Sequence, residues 1–281
     1  GAMTSSSSPG ISLKGEGISY MAGADLPGVI VNVERGGPGL GSIQPSQQDY
    51  WQATRAMGHG DSRHIVYAPS TVQEMADLTY LAFDKADEYR MPVIILADGL
   101  LGQMMEAVKL PEEKGELPEK PWATSGHGGA RPHNIANSLY LKPDKLEKSL
   151  LARYERYERI EQSEQRFEGF MLDDAEYVVV AFGASARIAR SAVLKAREEG
   201  ILAGLLRPIT LWPYPNDALQ EMLDHVKAFL SVEMSMGQMI DDIRLAIHDE
   251  RPVSFYGRTG GMIPTPEGVL AAIERAAERT V

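Results

Sequence analysis

The segment from Gly28 to Gly41 limits how this chain can fold more than any other. Gly28-Val29-Ile30-Val31-Asn32-Val33 is a short apolar run, rich in β-branched side chains and interrupted by a single Asn. A run that does not alternate reads as a strand buried on both faces, the habit of a parallel sheet. After Glu34 and Arg35, the stretch Gly36-Gly37-Pro38-Gly39-Leu40-Gly41 places four glycines in six residues and cannot extend the strand. The chain must turn at Arg35. In a parallel α/β sheet that turn lies at the carboxyl edge, where ligands bind, so Arg35 is expected to project a cation into a crevice beside Gly36 and Gly37. The competing reading is a plain turn that carries a surface cation. No Lys-Ser/Thr pair follows the glycines and no helix starts promptly, so the segment is neither a Walker phosphate loop nor a dinucleotide fingerprint.

The rest of the chain alternates around this strand. Residues 4–10, Thr-Ser-Ser-Ser-Ser-Pro-Gly, read as a polar loop that feeds an amphipathic helix ending near Ala24. Its hydroxyls and the free N–H groups of a helix start would suit an anion; a plain polar amino terminus is the alternative. A helix is expected over 47–57, a strand over 64–68, and a long helix capped by Ser70 or Thr71 that runs to Tyr89 on a stripe including Leu78, Ala82 and Ala86. A buried strand over 92–97 ends at Asp98-Gly99, where Asp98 either joins the crevice or only shapes the turn. Three strands before residue 106 leave an exposed sheet edge. His59 and Asp61 lack a third ligand at useful spacing, and no metal site is expected there.

Residues 110–150 turn charged and Pro-rich and read as a connector with lid-like loops, followed by a charged, largely solvated helix over 151–167. A second α/β unit begins at Tyr177: a strand over 177–182, a tight turn at Gly183-Ala184-Ser185-Ala186, a helix over 187–199 and a strand over 201–206. Asn216 caps the next helix. Strands over 228–232 and 252–256 flank a helix over 238–248, and Pro266 opens the last helix. The expected fold class is α/β, with mainly parallel sheets flanked by helices in two domains, 1–110 and 171–281, joined by a linker and helix over 111–170.

Composition narrows the function. The chain has 281 residues, room for two cores, and its net charge of -11 argues against nucleic acid or an anionic membrane as partner. The absence of cysteine excludes disulfides, a thiol nucleophile and any iron–sulfur cluster held by this chain alone. No apolar run approaches ~20 residues, so a cytoplasmic protein is expected. Of thirteen Met residues, Met104, Met105, Met234, Met236 and Met239 fall in apolar contexts and are expected to fill core or interface. Gly1-Ala2-Met3 reads equally as native or as a cloning remnant.

Several motifs in order resemble one family: Thr4-Ser5-Ser6-Ser7-Ser8-Pro9-Gly10-Ile11-Ser12-Leu13, Arg35-Gly36-Gly37-Pro38-Gly39-Leu40-Gly41, Gln44-Pro45-Ser46-Gln47-Gln48-Asp49-Tyr50, Ala97-Asp98-Gly99-Leu100-Leu101-Gly102-Gln103-Met104 and Gly257-Arg258-Thr259-Gly260-Gly261. Together they resemble the alpha subunit of 2-oxoacid:ferredoxin oxidoreductases, and the Gly-Leu-Gly form looks most like the branched-chain type acting on 2-oxoisovalerate. The resemblance implies a thiamine-diphosphate-dependent oxidative decarboxylation of a 2-oxoacid to acyl-CoA and CO2, with electrons passed to ferredoxin. It implies that this chain supplies part of the pyrimidine-binding domain and a transketolase-C-terminal-like domain. A beta subunit would hold the diphosphate with its Mg2+, and further subunits the iron–sulfur clusters, in an oligomer that meets ferredoxin and CoA. Arg35 would grip the substrate carboxylate, with Gly36 and Gly37 beside it, and Ser6, Ser7, Pro9 and Gly10 would lie next to the cofactor. The family's Tyr-Pro-Ile-Thr-Pro motif and activating Glu, which precede the Thr-Ser motif, do not occur in this sequence. No catalytic residue is therefore assigned, the chain is expected to start inside the first domain, and alone it is expected to be inert. The alternative is a non-catalytic α/β module for assembly or for binding a small carboxylate.

Overall fold

The expected strand runs become the central strands of two five-stranded sheets in a computed structural model that describes residues 1–112 and 119–280. The first sheet contains β1 (Met3–Ser6), β2 (Gly28–Glu34), β3 (Ile65–Tyr67) and β4 (Pro92–Asp98), in the order β1-β2-β4-β3, and β8 (Thr210–Trp212) joins it beyond β3. β2 and β4 pair in parallel from Gly28↔Pro92 to Glu34↔Asp98, which brings Glu34 and Asp98 side by side at the carboxyl edge. Helices α1 (Pro9–Ser12), α2 (Gly15–Gly23), α3 (Tyr50–Thr54) and α4 (Val72–Tyr89) connect these strands. Thr71 is the cap of α4: its side chain accepts from Glu74 N, and the Glu74 carboxylate returns to accept from Ser70 N at 2.8 Å. Leu78, Ala82 and Ala86 are its buried face.

Two expectations about this sheet are corrected. The Ser-rich start is not all loop, because Met3–Ser6 pairs in parallel with β2, from Met3↔Val29 to Ser6↔Asn32. Its side chains are mostly exposed, so the backbone ladder makes a strand that no apolar pattern announces. Nor is the central sheet left bare, since β1 covers one side and β8 pairs antiparallel with β3 on the other.

The second sheet has the order β10-β9-β6-β7-β5, made of β5 (Phe167–Phe170), β6 (Tyr177–Val180), β7 (Ala203–Pro208), β9 (Ala228–Glu233) and β10 (Val253–Gly257). All its pairings are parallel except β5 with β7, so it has one strand more than the four expected. Helices α6 (Gly183–Glu198), α7 (Asn216–Glu221), α8 (Met239–Ala246) and α9 (Pro266–Glu278) complete the unit. The expected turn at Gly183 is instead the first turn of α6, and Asn216 is the first residue of α7 rather than its cap.

The charged helix, α5 (Pro143–Ser163), starts before the expected 151 and is not wholly solvated: Arg153, Tyr157 and Ile160 are buried, and the Tyr157 ring meets Trp212 edge-on at 5.8 Å. Of the connector's Pro-rich run, residues 113–118 lie outside the described residues. Met234 and Met239 are buried, whereas Met105 and Met236 are exposed, which corrects the core assignment for those two. The α/β class with mainly parallel sheets is borne out, and one continuous core runs from Val31 and Tyr67 of the first sheet through Phe182 to Phe229 of the second. Among the described residues no helix is long and apolar enough to cross a membrane.

Candidate functional site

The carboxyl ends of β2, β4, β6 and β9 meet at a seam between the sheets, and the glycine-rich loop after β2 lies across it. Gln47 is fully buried there. Its amide nitrogen donates to Phe182 O at 2.9 Å, and its amide oxygen accepts from Ser185 Oγ at 2.8 Å and Met234 N at 3.0 Å. Asp98 works from the other side: one oxygen accepts from Leu101 N at 3.0 Å, shaping the turn, and the other from Ala184 N at 2.9 Å. Burial pushes the Asp98 carboxyl up, against the hydrogen bonds that lower it. A Cβ on Gly183 would lie 2.7 Å from Asp98 Oδ2, and φ there is +56°, so glycine is required where this carboxylate meets α6. Asp98 thus serves both the turn and the seam.

The loop itself is closed by its own backbone. Gly36 N donates to Gln44 O at 3.0 Å and Ser42 N to Gly36 O at 2.8 Å, while Gly37 N donates to Gln48 Oε1 at 3.1 Å. Gly41 has φ +55°, and a Cβ there would stand 1.8 Å from Gly36 O. A Cβ on Gly37 would meet nothing within 4 Å, so the floor beside Arg35 is open. The Gly257–Gly261 segment closes on this loop from the second unit, with Gln48 Nε2 donating to Thr259 Oγ1 at 3.0 Å.

Arg35 is half-buried, its Nε is buried without a hydrogen-bond partner, and its guanidinium makes no ion pair among the described residues. The preceding residue, Glu34, is fully buried, accepts from Asp49 N at 2.7 Å through Oε2 and has no partner for Oε1 among the described residues. Burial above all, then the negative charges of Asp49 and Asp98, holds its carboxyl well above the usual range. A cation with no ion pair among the described residues, beside the open Gly37 position, is chemically equipped to take a carboxylate.

Ser6, the last residue of β1, Ser7 in the turn, and Pro9 and Gly10, the first residues of α1, are all half-buried. The Ser6 hydroxyl occupies the space beside Gly10, where an added Cβ would lie 2.0 Å from Ser6 Oγ. The residue that reaches Arg35 is their neighbour Ser8, whose Oγ accepts from Arg35 N at 3.1 Å. Sequence reasoning missed Ser8, Asn32, Gln47 and Asp49 as a set; the single Asn in an apolar strand was the one signal available. His59 and Asp61 line a separate recess of about 220 Å³, and among the described residues no three His, Cys, Asp or Glu side chains converge as metal ligands. A larger cleft of about 900 Å³, lined by Arg55, Trp212, Tyr214 and Arg244, also lies away from Arg35.

Residues 1–168 match the family model described as pyruvate flavodoxin/ferredoxin oxidoreductase, thiamine-diphosphate-binding. The chain belongs to this oxidoreductase family. Residues 175–269 match core domain II of pyruvate:ferredoxin oxidoreductase. The chain is 51% identical, over 98% of its length and 78% of the relative's, to the ketoisovalerate oxidoreductase subunit VorB of Methanothermobacter thermautotrophicus. It is 32% identical, over 96% of its length and 79% of the relative's, to the 2-oxoglutarate synthase subunit KorA of Methanothermobacter marburgensis. A solved 2-oxoglutarate:ferredoxin oxidoreductase from Magnetococcus marinus superposes with a TM-score of 0.81 at 23% identity, covering 98% of this chain and 53% of that one, a likeness of fold.

Proposed function

We propose that this chain is the alpha subunit of a thiamine-diphosphate-dependent 2-oxoacid:ferredoxin oxidoreductase, and that Arg35 receives the substrate carboxylate. The observation that carries the reading is the half-buried guanidinium with no ion pair among the described residues, held at the carboxyl edge of β2 beside the open Gly37 position. Two parallel N–H···O bonds from a guanidinium would fix the oxoacid's carboxylate and so aim its keto carbon. Identity of 51% to a ketoisovalerate enzyme subunit against 32% to a 2-oxoglutarate enzyme subunit favours a branched-chain 2-oxoacid, with acyl-CoA and CO2 as products. Family membership favours this reading over a non-catalytic module.

Thiamine diphosphate, when bound, supplies nucleophilic attack at the keto carbon and storage of the electron pair left by CO2. The half-buried Ser6, Ser7, Pro9 and Gly10 fit contact with the edge of an aromatic ring rather than a charged grip, since they bring no cation. A partner subunit would hold the diphosphate with Mg2+, and iron–sulfur clusters would lie in other subunits, a division with which the lack of cysteine in this sequence agrees. Arg35 would then stay open in this chain until a partner completes the crevice. A cytoplasmic complex that passes electrons to ferredoxin completes the proposal.

The test uses the complex assembled from this subunit and its partners, with 2-oxoisovalerate-dependent reduction of a viologen dye as the readout. Arg35→Ala should raise KM for the oxoacid by about 10- to 100-fold, the worth of a charge-assisted pair, without changing the thiamine diphosphate requirement. An unchanged KM would refute the assignment.

A further inference from the structure

We infer that Ser8, held by Asn32 and Asp49, is the positioning residue that aims Arg35; the inference rests on the assignment of Arg35 to the substrate carboxylate. Ser8 comes from the turn between β1 and α1, 27 residues before Arg35, yet it is buried against the end of β2. Its backbone has φ +25° and ψ −85°, which an L-residue adopts only where its surroundings impose it. Those surroundings are visible. Ser8 N donates to Asn32 Oδ1 at 3.0 Å, and Asn32 Nδ2 donates to Asp49 Oδ2 at 2.9 Å.

The Ser8 hydroxyl has one proton to give. Asp49 Oδ2 lies 2.5 Å from Ser8 Oγ and Arg35 O lies at 3.2 Å, so the shorter, charge-assisted bond to the carboxylate takes the proton. The oxygen's lone pairs are then turned toward Arg35 N–H, which donates to them at 3.1 Å. Asp49 is fixed in turn by its own N–H on the buried Glu34, one residue before Arg35. The circuit from Asn32 through Ser8 and Asp49 to Glu34 closes on the strand that carries Arg35. It reaches that residue's main chain at the Ser8 hydroxyl.

This matters because the Arg35 side chain has no ion pair among the described residues to set its direction. Its launch angle comes from its backbone, and the contacts that fix that backbone are the Ser8 hydroxyl and the bridge to Pro45. The bridge belongs to the glycine loop, whereas Ser8 belongs to the buried turn between β1 and α1. A mispositioned guanidinium would cost substrate capture before it cost the later chemistry.

The experiment is a double-mutant cycle in the assembled complex. Ser8→Gly deletes the hydroxyl but tolerates positive φ, so the fold is retained, which circular dichroism and the thermal midpoint check. The expected result is a rise of about tenfold in KM for 2-oxoisovalerate, with kcat changed less than about threefold and the thiamine diphosphate requirement unchanged. In an Arg35→Ala background the same Ser8→Gly change should have no further effect on KM, because its target is gone. Asp49→Asn, which keeps an acceptor but removes its charge, should give an intermediate rise.

Each other outcome decides. If Arg35→Ala raises KM and Ser8→Gly does not, the Ser8 inference falls and the Arg35 reading stands. A Ser8→Gly effect of equal size in both backgrounds means that Ser8 acts independently of Arg35, and overturns the inference. Should Arg35→Ala leave KM unchanged, both fall together.

Discussion

His64, just ahead of β3, shows how burial writes a pH dependence into this fold. Its Nε2 lies 2.9 Å from Met57 O, and since a carbonyl only accepts, Nε2 carries the proton. Full burial drives its pKa from 6.5 down to about 4, against backbone hydrogen bonds that raise it. Above pH 6.5 the ring is neutral in folded and unfolded chains alike. As pH falls below 6.5 the unfolded chain takes up a proton that the folded chain refuses, so stability is lost down to about pH 4, by about 3 kcal/mol in all. His64→Gln, which keeps a donor for Met57 O, should flatten that slope when urea unfolding is compared at pH 7 and pH 4.5; an unchanged slope would count against this account. Glu34 acts in the opposite sense, because its raised pKa makes ionisation costly to the folded state as pH climbs above the ordinary carboxylate range. At this scale Arg35 was legible, for a β-branched run stopped by glycines fixes where a side chain leaves the strand. Ser8 was not: its partners lie 24, 27 and 41 residues away and meet it only through the β1–β2 pairing.

Among the elements, sequence periodicity located those that bury a face. β2, β4, β6 and β9 are apolar on both sides, and α4 carries a capped, striped pattern, so all five fall within a few residues of expectation. β1 and β8 were missed for separate reasons. The first is exposed and serine-rich; the second is three residues long and pairs across more than 140 positions with Val66 and Tyr67. The glycine loop permits a test at its own scale. Gly41→Ala forces a Cβ onto Gly36 O, which must break the closure from Ser42 N. Gly39 also has positive φ, at +68°, but has open space around it. Strain of about 1–3 kcal/mol at Gly41 should therefore raise KM for the oxoacid about tenfold, while Gly39→Ala should change it less than about threefold. Equal effects would show that backbone strain alone, and not loop closure, governs the site.

At the scale of the molecule, the seam holds the two sheets as one body. Gln47 satisfies Phe182 O, Ser185 Oγ and Met234 N at once, and β8 carries residues of the second half into the first sheet. Gln47→Ala strands buried groups that each cost about 1–3 kcal/mol when unpaired, so the urea midpoint should fall by an amount equivalent to at least about 2 kcal/mol. A change below about 0.5 kcal/mol would mean that the seam relaxes freely. Sequence reasoning could see two α/β units but not how their carboxyl edges are joined, because a buried glutamine in a loop carries no periodic signal. The proposal for this site is that the seam holds Arg35 open for a carboxylate. Its most direct test is a structure of the assembled complex with 2-oxoisovalerate bound, read at one place. Two Arg35 nitrogen-to-carboxylate-oxygen distances of about 2.7–2.9 Å are expected. A carboxylate held by another cation, with Arg35 paired to an acidic side chain of a partner subunit, would contradict it.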